Sequence, residues 1–92
     1  MSLVWEPKDP KDKRLFYIDF GPDLNAGDSV TGADWTVSPE GLTLGNKYLE
    51  GSRAYIWIDG GAAGSYYWAE CQAETDQGEI INRRARFYVT DL

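Results

Sequence analysis

The chain has 92 residues, 42% hydrophobic and 14% aromatic, with a formal net charge of −6 and no histidine. That length makes one domain, which buries roughly 60–65% of the surface its unfolded form exposes, so modest stability is expected. The acidic balance argues against non-specific nucleic-acid binding, which needs Lys and Arg to neutralise phosphates.

No stretch approaches the ~18 apolar residues that span a bilayer, and the N-terminus lacks the apolar core of a signal peptide. No membrane partner is therefore expected. Without histidine there is no Ser-His or Cys-His relay and no imidazole metal site. Cys71 is the only cysteine, which excludes an intrachain disulfide and structural thiolate zinc. The run of Gly and Ala at 60–64 is not followed by the Lys-Ser/Thr and helix of a phosphate loop. Asp19, Asp23, Asp28 and Asp34 offer oxygens for Ca²⁺, but their spacing matches no known loop pattern. The chain is read as not an enzyme, with no catalytic residue, cofactor or metal assigned.

Residues 1–13 read as an extended arm with Pro7, Pro10 and interleaved Lys and Asp. Its Trp5 is either a terminal hydrophobe resting on its own domain or an anchor into a partner. The domain proper is expected over 14–92. A strand at 14–20 turns Phe16, Ile18 and Phe20 one way and Tyr17 and Asp19 the other. A loop follows, with Leu24 as an inward plug. In the strand at 29–37, Val30 and the pair Trp35/Val37 fall on opposite parities, which predicts a β-bulge near Gly32–Ala33. Pro39-Glu40-Gly41 reads as a turn. The next strand, 42–49, points Leu42 and Leu44 inward and breaks at Gly45-Asn46.

The stretch 53–75 carries the clearest signal. Ala54, Ile56 and Ile58 alternate with Tyr55 and Trp57 over 53–59, and a Gly-rich corner follows. Over 65–75, Tyr67, Ala69, Cys71 and Ala73 alternate with Tyr66, Trp68, Glu70, Gln72 and Glu74. Period-two patterning of this length marks half-buried strands. On the apolar parity Cys71 reads as a small buried hydrophobe. A turn at 76–78 leads to a last strand, 79–90, with Ala85, Phe87 and Val89 inward and Arg84, Arg86 and Tyr88 outward.

Six or seven such strands, with essentially no helix, predict an all-β fold: a single antiparallel β-sandwich, with a small closed barrel as the alternative. Trp5 and the outward residues Tyr55, Trp57, Tyr66, Trp68, Arg84, Arg86 and Tyr88 are the candidate binding residues. Several aromatics together suggest a contact surface for protein, and planar rings beside carboxylates also suit carbohydrate. Whether they cluster depends on which strands share a sheet. Arg84 and Arg86 either pair across strands with Glu70, Gln72 or Glu74, or form half of a charged interface.

The ordered series Lys8-Asp9-Pro10, Ile18-Asp19-Phe20, Ala26-Gly27-Asp28-Ser29-Val30, Trp35-Thr36-Val37, Pro39 to Thr43, Ala54 to Gly61 and Ala63 to Tyr67 resembles a known family. It is similar to the small Ig-like or fibronectin-III-like proteins of tailed phages and prophages, of the fiber–tail adaptor type. The resemblance implies a non-enzymatic structural adaptor of a virion, assembled in the bacterial cytoplasm, whose partners are other virion structural proteins, with self-association through an edge strand as a further option. A carbohydrate-binding module is the alternative function. Tyr67 sits where Ig-like folds place a tyrosine whose hydroxyl bonds the preceding corner.

Overall fold

The structure, a computed structural model, describes residues 3–92. Seven strands follow one another: β1 Leu3–Val4, β2 Lys13–Asp19, β3 Val30–Ser38, β4 Leu42–Glu50, β5 Arg53–Gly60, β6 Ser65–Thr75 and β7 Ile80–Val89. A single 3-10 turn, Gly21–Asp23, is the one helical element among the described residues. The strands form two sheets, ordered β1-β7-β6-β3 and β2-β5-β4. They lie over one another as a sandwich of 42 × 25 × 19 Å, which settles the choice against a closed barrel.

The order is that of an immunoglobulin-like fold. β2, β5 and β4 hold the places of strands B, E and D, while β3, β6 and β7 hold those of C, F and G. The first strand has moved to the edge beside β7, where Leu3 and Val4 run parallel to Ala85 and Arg86. Every other pairing between these strands is antiparallel.

The alternation of residue types decides the faces. Phe16, Ile18, Phe20, Ala54, Ile56, Ile58, Tyr67, Ala69, Cys71, Ala73, Ala85, Phe87 and Val89 are all buried between the sheets, as their parity predicts. Leu24 packs against them as the expected plug. The bulge in β3 falls between Val30 and Gly32, a residue or two before the expected position, and it reconciles Val30 with Trp35. A second register shift lies between Leu44 and Lys47, at the expected Gly45-Asn46 break.

The arm holds one contact that the sequence did not announce, the burial of Lys8. The arm docks through Leu3, Val4 and Trp5 and also through Lys8, which is fully buried and bridges to Val89. The Lys8 Nζ donates to the carbonyls of Gly60 at 2.6 Å and Asp9 at 2.9 Å. Backbone bonds Lys8 N to Tyr88 O and Thr90 N to Lys8 O add to the attachment. Burial pulls the Lys8 ammonium below its ordinary value, an effect that Asp59, Asp12 and Asp9 partly offset. Met1 and Ser2, the first two residues of the expected arm, lie outside the described residues.

At the opposite end the loops are tied side by side. Phe20 N donates to Ser52 O, Asp76 N to Ser29 O, and Gln77 N to the Asp28 carboxylate. The four aspartates considered for Ca²⁺ are dispersed. Asp19 accepts from Ser52, Asp23 from Arg83 and Asp28 from Ser29 and Gln77, while Asp34 meets Lys47.

Candidate functional site

Because β5 and β6 belong to different sheets, the outward aromatics divide between two faces on opposite sides of the sandwich. Tyr66, Trp68, Tyr88, Arg84 and Arg86 meet on the outer face of the four-stranded sheet. Tyr55 and Trp57 lie on the outer face of the three-stranded sheet. Trp5 joins neither.

Trp5 fills the gap between the sheets on the β1/β2 side. Its indole N–H donates to Tyr17 O at 3.0 Å, and its ring stacks on Phe16 at 4.6 Å with 13° between planes. Phe87 at 5.8 Å and Trp35 at 6.0 Å complete the contacts. In this structure Trp5 serves the core, bridging its two halves together with Trp35.

On the four-stranded face, the β6–β7 register sets Tyr66 opposite Tyr88, Trp68 opposite Arg86 and Glu70 opposite Arg84. The Tyr66 and Tyr88 rings lie 4.6 Å apart. Arg84 Cζ sits 4.9 Å from the Trp68 ring centre, and Arg86 Cζ lies 5.3 Å from Tyr66 and 5.9 Å from Trp68. Among the described residues neither arginine pairs with a carboxylate, although Glu70 stands directly across from Arg84. The expected cross-strand ion pairs therefore do not form. An exposed ion pair contributes about 0–1 kcal/mol. A guanidinium laid on an indole contributes a similar amount and also packs its flat surface and stem.

The polar half of the same face carries Asp34, Thr36, Glu70, Gln72 and Asn82, which line a shallow open depression. The face is thus divided along its length into an aromatic and cationic end and an amide and carboxylate end.

The three-stranded face holds a tyrosine ladder. Tyr17 on β2 pairs with Tyr55 on β5, which pairs with Tyr48 on β4. Ring centres are 5.4 Å apart for the first pair and 4.7 Å for the second, the latter stacked at 8°. Arg53 lies 4.4 Å over Tyr17 and reaches the Tyr55 hydroxyl at 3.4 Å. Trp57 lies beside the ladder with Lys13 at 6.0 Å from its ring. Asp19 anchors this edge: the Ser52 hydroxyl, then the Gly21 amide and Arg53, hold its carboxyl below the usual range against the opposing effect of burial.

Tyr17, Tyr48 and Arg53 were not among the candidates from sequence. Tyr17 was legible, since it alternates with Phe16 and Ile18. Tyr48 was hidden, because simple alternation from Leu44 turns it inward until the bulge at Gly45-Asn46 reverses the parity.

The core carries no comparable chemistry. Burial pushes the Cys71 thiol up to about 12, so it stays protonated and inert at neutral pH. Among the described residues no group of three or more His, Cys, Asp or Glu side chains is placed to hold a metal. The Tyr67 hydroxyl accepts the Ala62 amide at 2.8 Å, closing the corner between β5 and β6 as expected.

These features define a small immunoglobulin-like sandwich whose distinctive chemistry lies on its two flat outer faces. A family model described as podophage GP4 fiber-tail adaptor protein gp77 matches residues 8–88, and the chain belongs to that family. It is accordingly a structural adaptor protein of a phage, part of the virion. No curated protein matches the chain.

Proposed function

We propose that this protein is a non-enzymatic link between tail and fiber proteins, and that its two aromatic faces are the contact surfaces. The family match over residues 8–88 carries the reading. The geometry supports it: an adaptor must bind on two sides, and exposed aromatics with arginines lie on opposite faces of one thin sandwich. Aromatic and Arg side chains are the types enriched where interfaces gain most of their energy. Assembly in the host cytoplasm, before the particle leaves the cell, fits a chain of this kind.

A glycan platform requires open ring faces. Arg84 and Arg86 lie over one side of the Trp68 and Tyr66 rings, and Tyr48 stacks on Tyr55, so fewer ring faces are open for sugar stacking, which favours protein over sugar as the ligand. For self-association through an edge strand, β1 offers only two residues. β3 and β4 are edges blunted by register shifts, while β2 is a regular edge with one carbonyl taken by Trp5.

Quantitative mass spectrometry of purified particles tests the reading. The protein is expected at a fixed copy number per particle. Its absence from particles would overturn the proposal.

A further inference from the structure

Arginine usage in this chain is uneven. Its arginines are Arg14, Arg53, Arg83, Arg84 and Arg86. Three of them meet carboxylates of the same chain: Arg14 with Glu6 at 3.9 Å, Arg53 with Asp19 at 3.8 Å, and Arg83 with Asp23 at 2.8 Å. Arg84 and Arg86 stand on neighbouring rows of one exposed face and meet none among the described residues. Glu70 is available across the strand, yet the guanidiniums rest on Trp68 and Tyr66.

A guanidinium within cation–π distance of a ring is restrained by it while N–H groups remain for a further acceptor. Two such groups on neighbouring rows, each already lying against a ring, make a donor array that loses less side-chain entropy on binding than free arginines would. The array is cationic on a molecule of net charge −6. Free phosphate-rich polymers are repelled by the rest of the surface, whereas a local carboxylate matches it.

We propose that the end of the four-stranded face formed by Tyr66, Trp68, Arg84, Arg86 and Tyr88 docks a carboxylate-bearing segment of a protein partner. Arg84 and Arg86 take the acidic side chains by paired N–H···O bonds, and the aromatic rings cover the segment's apolar part. The inference rests on the adaptor reading for its setting, and on charge complementarity for the choice of partner.

The test compares particles from phage encoding wild-type protein, the Arg84→Glu/Arg86→Glu double variant, and Lys11→Glu as a charge control outside both faces. Protein per particle is measured together with thermal unfolding of each purified chain. The double variant is expected to lose about tenfold or more of its occupancy while unfolding near the wild-type temperature. Lys11→Glu is expected to keep wild-type occupancy. Full occupancy of the double variant would overturn the inference and leave the adaptor reading standing.

Absence of wild type from particles would instead sink the adaptor reading. The face is then read by NMR titration of the full chain with short oligoglutamate and oligolysine peptides. Salt-sensitive shifts at the Trp68 indole with oligoglutamate alone support the docking of acidic segments. No selective shift, or binding to a glycan that the double variant abolishes, overturns it.

Discussion

Tyr67 shows how much a single oxygen can carry. Its hydroxyl is the acceptor for the Ala62 amide in a partly buried corner, so Tyr67→Phe removes the partner and leaves the amide stranded. The expected cost is about 1–3 kcal/mol, the range for an unsatisfied buried donor. Urea unfolding should show a lower midpoint at unchanged slope. Cys71 makes a second residue-level prediction. Burial raises its folded value from 9.0 to about 12. The folded state therefore favours the neutral thiol, and this contribution is complete below pH 9 and lost as pH rises toward 12. The stability difference between wild type and Cys71→Ala should narrow across that interval. A constant difference from pH 8 to 12 would contradict the assignment. Both residues were legible in the sequence, because the hydroxyl of an inward tyrosine needs a hydrogen-bond partner and a thiol on an apolar parity is a core residue. Lys8 was not legible. Nothing in Pro7-Lys8-Asp9-Pro10 says that the ammonium will find the carbonyl of Gly60, 52 residues away at the end of a sheet.

Among the elements, the corner between β5 and β6 separates two kinds of glycine. Gly61 and Gly64 both have positive φ, at 100° and 87°. A Cβ at Gly61 would stand 2.9 Å from Val89 Cγ2 and 3.1 Å from Leu42 Cδ2, whereas one at Gly64 meets nothing within 4 Å. Each Ala substitution carries the backbone cost of about 1–2 kcal/mol. Gly61→Ala adds overpacking of a further ~1–3 kcal/mol. Thermal unfolding should therefore rank Gly64→Ala above Gly61→Ala, and equal melting temperatures would show that the corner relaxes freely. Strand existence was legible from β2 onward, since period-two alternation survives in β2, β5, β6 and β7. Alternation fails at a bulge, which explains why Tyr48 was missed while Tyr17 was in view. It also fails for β1, because two residues cannot show a period and the parallel pairing with β7 is a tertiary choice.

For the molecule as a whole, the decisive fact was the partition of strands between sheets. Parity says that Tyr55, Trp57, Tyr66 and Trp68 all point outward. Only the strand orders β1-β7-β6-β3 and β2-β5-β4 say that they point in opposite directions. That partition depends on long-range pairing such as Tyr17 with Tyr55 and Trp35 with Cys71, which no local pattern encodes. It decides the question the sequence left open by dividing these residues between two faces, and two back-to-back faces suit a protein that joins two others. Tyr55→Ala with Tyr48→Ala strips the ladder from one face; Trp68→Ala with Arg86→Ala strips the stack from the other. Each pair should cost about 2 kcal/mol or more in binding on its own side, the level of an interface anchor, and little on the opposite side, since sites this far apart act independently. The most direct measurement is the affinity of each folded double variant for the tail protein and for the fiber protein separately. The account predicts that each variant loses one partner and keeps the other. Retention of both partners by both variants, or loss of both partners by either, would contradict it.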